Sequence, residues 1–235
     1  MFKQLALDLS LDDTFTFRNY WPEANNDLIQ AIHHYLDTHL PPLLFITGPA
    51  SSGKTHLLKA INEHLKENRQ TVISLSMKDM LDVTPNILDG MEQLDTMIID
   101  DIDAIANHPA WQEALFHCYN RSQDKQCKWI VSAKEAPAQL AFSLKDLQSR
   151  LSHGITWALK PLDDATKTKI LQFRAHKLGL QLPDHVAEYL INHYARDMQT
   201  QINYLETLEK ASLSSMRKIT VPFIKEILQQ NISQA

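Results

Sequence analysis

The chain has 235 residues, 44% of them apolar and 22% charged, which suits one large α/β domain or a core domain with a small appendage. No apolar run reaches membrane-spanning length and no basic leader precedes an apolar stretch, so the composition predicts a cytoplasmic protein without a membrane span. A formal net charge of -5 argues against a chain whose main work is neutralising nucleic-acid phosphates.

The first thirteen residues hold the alternating segment Gln4-Leu5-Ala6-Leu7-Asp8-Leu9, followed by Asp12 and Asp13, ahead of any element that periodicity predicts. Between Asn25 and His39 the residues Leu28, Ile32, Tyr35 and Leu36 recur at helical spacing, and Pro41 with Pro42 closes that helix. The period then changes. Leu43 to Thr47 is a short apolar run entering a glycine-bearing loop, and helical spacing resumes with Leu57, Leu58, Ile61 and Leu65. Strand-like runs follow at Val72 to Leu75, Thr96 to Asp100, Lys128 to Ser132 and Ile155 to Leu159, with helical stretches such as Trp111 to Tyr119 between them. Short apolar strands alternating with helices predict a parallel five-stranded sheet between helices. Beyond Pro161 the strands stop: Asp163 or Asp164 can cap a helix carrying Ile170, Leu171 and Phe173, Pro183 opens another, a third starts near Met198 and a last one near Thr220. The expected organisation is a leader over residues 1–13, an α/β domain over 14–161 and a small all-helical lid over 162–235. Cys118 and Cys127 lack metal or redox spacing and read as reduced thiols, and the 11 histidines form no metal-binding motif.

Gly48-Pro49-Ala50-Ser51-Ser52-Gly53-Lys54-Thr55 meets GxxxxGK[ST] at every fixed position, after a strand-like run and before a helix. In that context the backbone N–H groups and the positive end of the helix can surround a phosphate, Lys54 adds charge at the β- and γ-phosphates, and the Thr55 hydroxyl can ligate Mg²⁺. The run Thr96-Met97-Ile98-Ile99 ends in two acids. Asp100 is expected to hold the metal, directly or through water, and Asp101 to orient or activate water in a hydrolysis step. Arg150, in Asp146-Leu147-Gln148-Ser149-Arg150-Leu151, offers a rigid donor fork near the end of a predicted helix, suited to a γ-phosphate in its own or a neighbour's site. Taken on their own, Arg150 and Arg196 read more readily as surface or ion-paired residues.

These pieces, with Phe15-Thr16-Phe17-Arg18-Asn19-Tyr20, Ile99-Asp100-Asp101-Ile102, Arg196-Asp197-Met198 and Phe223 to Leu228, resemble the AAA+ ATPases of the bacterial initiator DnaA type over nearly the whole chain. Within that group the chain is most similar to the DnaA-homologous proteins that inactivate the initiator. The resemblance implies that Gly48 to Thr55 is Walker A, binding ADP or ATP with Mg²⁺, and that Asp100 with Asp101 is Walker B. It implies that Arg150 is a finger acting in trans on a neighbouring subunit's nucleotide, and that Arg196 is the sensor-2 arginine of the lid. Ser132 stands at the sensor-1 position, although Ala133 replaces an acid usual in initiators. Gln4, Leu5, Leu7 and Leu9 are then a peptide that docks on the DNA polymerase III β sliding clamp. The chain stops after the lid, so no helix-turn-helix domain and no sequence-specific duplex recognition are expected; DNA contact is indirect or weak, and a homo-oligomer is open. The implied function is stimulation of initiator-bound ATP hydrolysis on a clamp-loaded DNA, with ADP-bound initiator as product. The complete Gly53-Lys54-Thr55 sequence also permits intrinsic hydrolysis. The competing expectations are a helicase-loader-like replication adapter of the same fold, or a self-contained P-loop kinase or ATPase.

Overall fold

A computed structural model of the chain describes residues 16–17, 20, 26–38, 43–195 and 197–232, with the side chains of 230–232 excepted. Its contacts divide the described residues into two compact units, one formed by those up to Thr47 with Lys54–Ala158, the other by those from Leu159 onward with Gly48–Gly53. Among the described residues no helix is long and apolar enough to cross a membrane.

In the larger unit five strands, β1 (Leu43–Thr47), β2 (Val72–Ser76), β3 (Thr96–Asp100), β4 (Lys128–Ala133) and β5 (Ile155–Ala158), form a sheet of order β2-β3-β4-β1-β5. Every pairing is parallel. Composition explains who sits where. The three inner strands are buried along almost their full length, as runs such as Leu43-Leu44-Phe45-Ile46 and Met97-Ile98-Ile99 require when both faces are covered. The edge strands β2 and β5 are half-buried and carry Ser74, Ser76 and Thr156. Leu43, Phe45, Met97, Ile99, Trp129 and Val131, alternate residues of the inner strands, share one apolar cluster with Leu115 and Cys118.

Among the described residues five α-helices belong to this unit: α1 (Asn26–Asp37), α2 (Lys54–Glu67), α3 (Met77–Met80), α4 (Pro109–Lys125) and α5 (Lys145–Ser152). The stripe Leu28, Ile32, Tyr35 and Leu36 is the buried face of α1, as its spacing predicts. Its last carbonyls are met by the Lys128 ammonium, which donates to Leu36 O at 2.6 Å and to Tyr35 O at 3.3 Å. Expected from sequence as Trp111 to Tyr119, α4 extends further, from Pro109 at its first turn to Gln126, whose left-handed backbone ends it.

The smaller unit is helical: α6 (Asp164–Lys177), α7 (Asp184–His193), α8 (Met198–Ser215) and α9 (Val221–Ile232). Of the two acids expected to cap α6, Asp163 does so, accepting the Thr166 N–H at 2.7 Å. Asp197 caps α8 in the same way, from Thr200 N at 2.9 Å. Leu171, Leu190, Leu205, Leu208, Phe223 and Ile224 form a core of its own.

Candidate nucleotide site

Parallel strands deliver their carboxyl ends to one edge of a sheet, and the candidate residues collect there. Register sets Ile99 of β3 beside Val131 of β4, so that the next residues, Asp100 and Ser132, meet. On the other flank of β3, Ser76 of β2 pairs with Asp100, and the chain turns into α3, which carries Lys78.

Asp100 is only 7% exposed, and a buried carboxylate needs partners. Its Oδ2 accepts the Thr55 hydroxyl at 2.6 Å; its Oδ1 accepts the Ser132 hydroxyl and the Asp101 N–H, the latter at 3.0 Å. Asp101 adopts the left-handed region, φ 52° and ψ 48°, where few residues besides glycine settle. That turn aims its N–H at Asp100 and at Ser132 Oγ, 3.1 Å away, while its carboxylate meets the Lys78 ammonium at 2.6 Å. The pair raises the Lys78 pKa, chiefly through this hydrogen bond. Burial lowers the Lys54 pKa, and the nearby charges of Asp101, Asp100 and Asp103 oppose that shift. Asp103 lies 3.8 Å from the Lys134 ammonium. Acids and ammonium groups are thus interleaved, which lets several charges share one partly desolvated place.

The loop between β1 and α2 turns through left-handed backbone at Gly53, as a glycine there predicts, and also at Ser51. Gly53 has φ 94° and Ser51 φ 60°, and Ser52 N donates to Pro49 O at 3.3 Å, so the backbone turns tightly ahead of Lys54, the first residue of α2. The Ser52 hydroxyl oxygen is buried with no hydrogen-bond partner among the described residues. An orphaned hydroxyl in a loop that opens a helix fits an anionic group. Thr55 and Asp100, hard oxygen donors already in contact, fit Mg²⁺.

Arg150 lies on the exposed side of the last turn of α5, whose Leu147 and Leu151 are buried. Among the described residues no carboxylate pairs with its guanidinium, and no hydrogen bond or ion pair ties it to the Asp100 cluster. Its charge acts on the Tyr119 phenol, whose pKa burial raises and Arg150 lowers. Arg196 and the leader residues Gln4, Leu5, Leu7 and Leu9 lie outside the described residues. The structure therefore joins Thr55, Asp100, Asp101 and Ser132 and leaves Arg150 apart. It also adds Lys78, to which no motif points. Its signal is positional: it stands two residues beyond a strand that a parallel sheet can place beside the acids.

A model of the bacterial DnaA ATPase domain matches residues 11–158, and a model of the Hda lid domain matches residues 164–228. The chain belongs to the bacterial DnaA ATPase-domain family. Joined to that lid, the ATPase domain makes it an Hda-like AAA+ regulatory protein, and membership implies nucleotide binding. Among solved structures, domain III of the Thermotoga maritima DnaA matches with a TM-score of 0.78 at 21% identity, over 93% of this chain and 97% of that one. DnaA from Aquifex aeolicus bound to AMPPCP matches with a TM-score of 0.67 at 24% identity, over 82% of this chain and 65% of that one. The Thermotoga maritima RuvB branch migration motor reaches 0.64 at 19% identity, over 94% of this chain and 71% of that one. At these identities the likeness shows the fold alone.

Proposed function

We propose that this chain inactivates the replication initiator DnaA by stimulating hydrolysis of initiator-bound ATP, in a complex with the DNA-loaded sliding clamp. The observation that carries the reading is the pairing of a DnaA-type ATPase domain with an Hda-type lid. Arg150 supports it: an exposed guanidinium, on a helix held by buried leucines and with no carboxylate partner among the described residues, is available to a second molecule. In that role it donates to the oxygens over which charge spreads as the initiator's γ-phosphoryl group transfers, a contribution of about 10³ to 10⁵ in rate for arginine fingers. Gln4, Leu5, Leu7 and Leu9 tether the chain to the clamp, and DNA contact is indirect. ADP-bound initiator is the product, and re-initiation is prevented.

The chain's own ADP or ATP is held by the Gly48 to Gly53 backbone, Lys54 and the lid's Arg196, with Mg²⁺ on Thr55 and Asp100. When bound, the metal neutralises phosphate charge. Asp101 is the candidate base for intrinsic hydrolysis, but its ion pair with Lys78 occupies one carboxylate oxygen, which favours a structural over a catalytic use of the bound nucleotide.

The test is hydrolysis of initiator-bound ATP on clamp-loaded DNA, with this protein added or withheld. Addition is expected to accelerate it, and unchanged hydrolysis would defeat the proposal. Arg150→Ala is expected to abolish the acceleration while clamp binding persists. Lys54→Ala is expected to weaken the protein's own nucleotide binding, and loss of residues 4–9 to remove clamp binding.

A further inference from the structure

Gln112 is a fully buried carboxamide in α4, and its hydrogen-bonding capacity is full. Its Nε2 donates to Ile105 O at 3.0 Å and Ala106 O at 2.8 Å; its Oε1 accepts from Ser143 Oγ and from Leu144 N, each at 3.0 Å. The amide orientation is determined by its neighbours, because the flipped amide would face N–H with N–H and carbonyl with carbonyl. Ile105 and Ala106 lie in the 3₁₀ helix Ile102–Asn107 that begins directly after Asp101. Leu144 is the residue from which α5 starts, and no side-chain cap of its own satisfies that helix. One side chain therefore fastens the segment following the acidic pair to the start of the helix that carries Arg150.

We infer that Gln112 is a positioning residue for the Arg150 guanidinium, an inference that rests on the reading of Arg150 as a finger in trans. Arg150 lies six residues beyond Leu144, about 9 Å along the helix axis, so a small tilt at the helix start displaces the guanidinium. Misplacement of a catalytic group by about 1 Å can cost up to about 100-fold. The rest of α5 is held independently: Leu147 and Leu151 are buried, and Gln148 Nε2 donates to the carbonyls of Pro137, Ala138 and Leu140 at 3.1, 2.9 and 2.9 Å. Without Gln112 the helix remains attached through Leu147, Gln148 and Leu151 but loses the fastening at Leu144, where it starts.

The experiment titrates the full-length protein into ATP-bound initiator on clamp-loaded DNA and separates the maximal stimulated rate from the half-saturating concentration. Gln112→Met keeps side-chain volume and removes all four bonds. Its maximal rate is expected to fall about 10- to 100-fold with the half-saturating concentration and clamp binding unchanged. Ser143→Ala removes one bond at an exposed position and guards against a misfolded Gln112 variant; its maximal rate is expected to fall about 2- to 10-fold. Wild-type maximal rates in both variants, or a raised half-saturating concentration at an unchanged maximal rate, overturn the inference and leave the finger reading intact provided that Arg150→Ala is inactive. Stimulation that survives Arg150→Ala overturns both.

Discussion

Asp100 is the residue through which the site is organised, since two hydroxyls and a backbone N–H converge on its carboxylate. A second carboxylate uses the same chemistry for stability alone. Asp95 Oδ2 accepts Thr71 N at 2.7 Å and Thr71 Oγ1 at 2.8 Å, tying the start of β3 to the turn before β2. The backbone bond first, and the hydroxyl second, lower its pKa. A carboxylate depressed on folding stabilises the native state above its unfolded pKa of about 4, and that contribution is lost as pH falls through the lower folded value. Asp95→Asn is accordingly expected to lower stability near neutral pH by less than about 1 kcal/mol, because the group is solvent-screened, with the difference from wild type shrinking below about pH 4. Urea midpoints measured from pH 3 to pH 7 would show it; a gap that widens in acid contradicts the assignment.

At the scale of elements, the parallel sheet explains both the apolar runs and a constraint that lies between them. Gly154 precedes β5, and a Cβ there would come within 2.6 Å of both Leu43 Cγ and Leu43 O at the start of β1. The carbonyl cannot yield without moving the strand. Gly154→Ala is expected to destabilise the chain by about 1–3 kcal/mol, read as a lower denaturant midpoint at an unchanged slope. An unaltered midpoint would mean that β1 and β5 accommodate the methyl group freely. The inner and edge strands differ for a related reason. Inner strands are buried and apolar along their middles, with polar residues such as Thr47, Asp100 and Ser132 at or near their carboxyl ends; β2 and β5 are half-buried and carry hydroxyl residues.

At the scale of the molecule, the described residues separate into two units, each with its own core. The helical unit closes its apolar face on itself through Leu171, Leu190, Leu205 and Phe223, and α6 and α8 carry their own caps at Asp163 and Asp197. A fragment spanning residues 159–235 is therefore expected to be helical by circular dichroism and to unfold cooperatively. A featureless spectrum would show that its core depends on the rest of the chain. The net charge of -5 acts at this scale too, since an acidic chain gains little from counterion release on a duplex.

Local pattern is what the amino-acid sequence determines by itself. The five strands, the phosphate loop, the acids ending Thr96 to Asp100 and an acidic cap for α6 at Asp163 or Asp164 are all legible, because backbone period, turn residues and capping chemistry operate over a few positions. Neighbour order is different. Only the arrangement β2-β3-β4-β1-β5 brings Lys78 to Asp101 and Ser132 to Asp100, and only the packing of α4 sets the Gln112 carboxamide between two distant segments. The pairs Lys78 with Asp101, Ser132 with Asp100 and Gln112 with Leu144 join residues far apart along the chain, and their geometry follows from which strands pair and which helix covers them, information that no short-range periodicity contains.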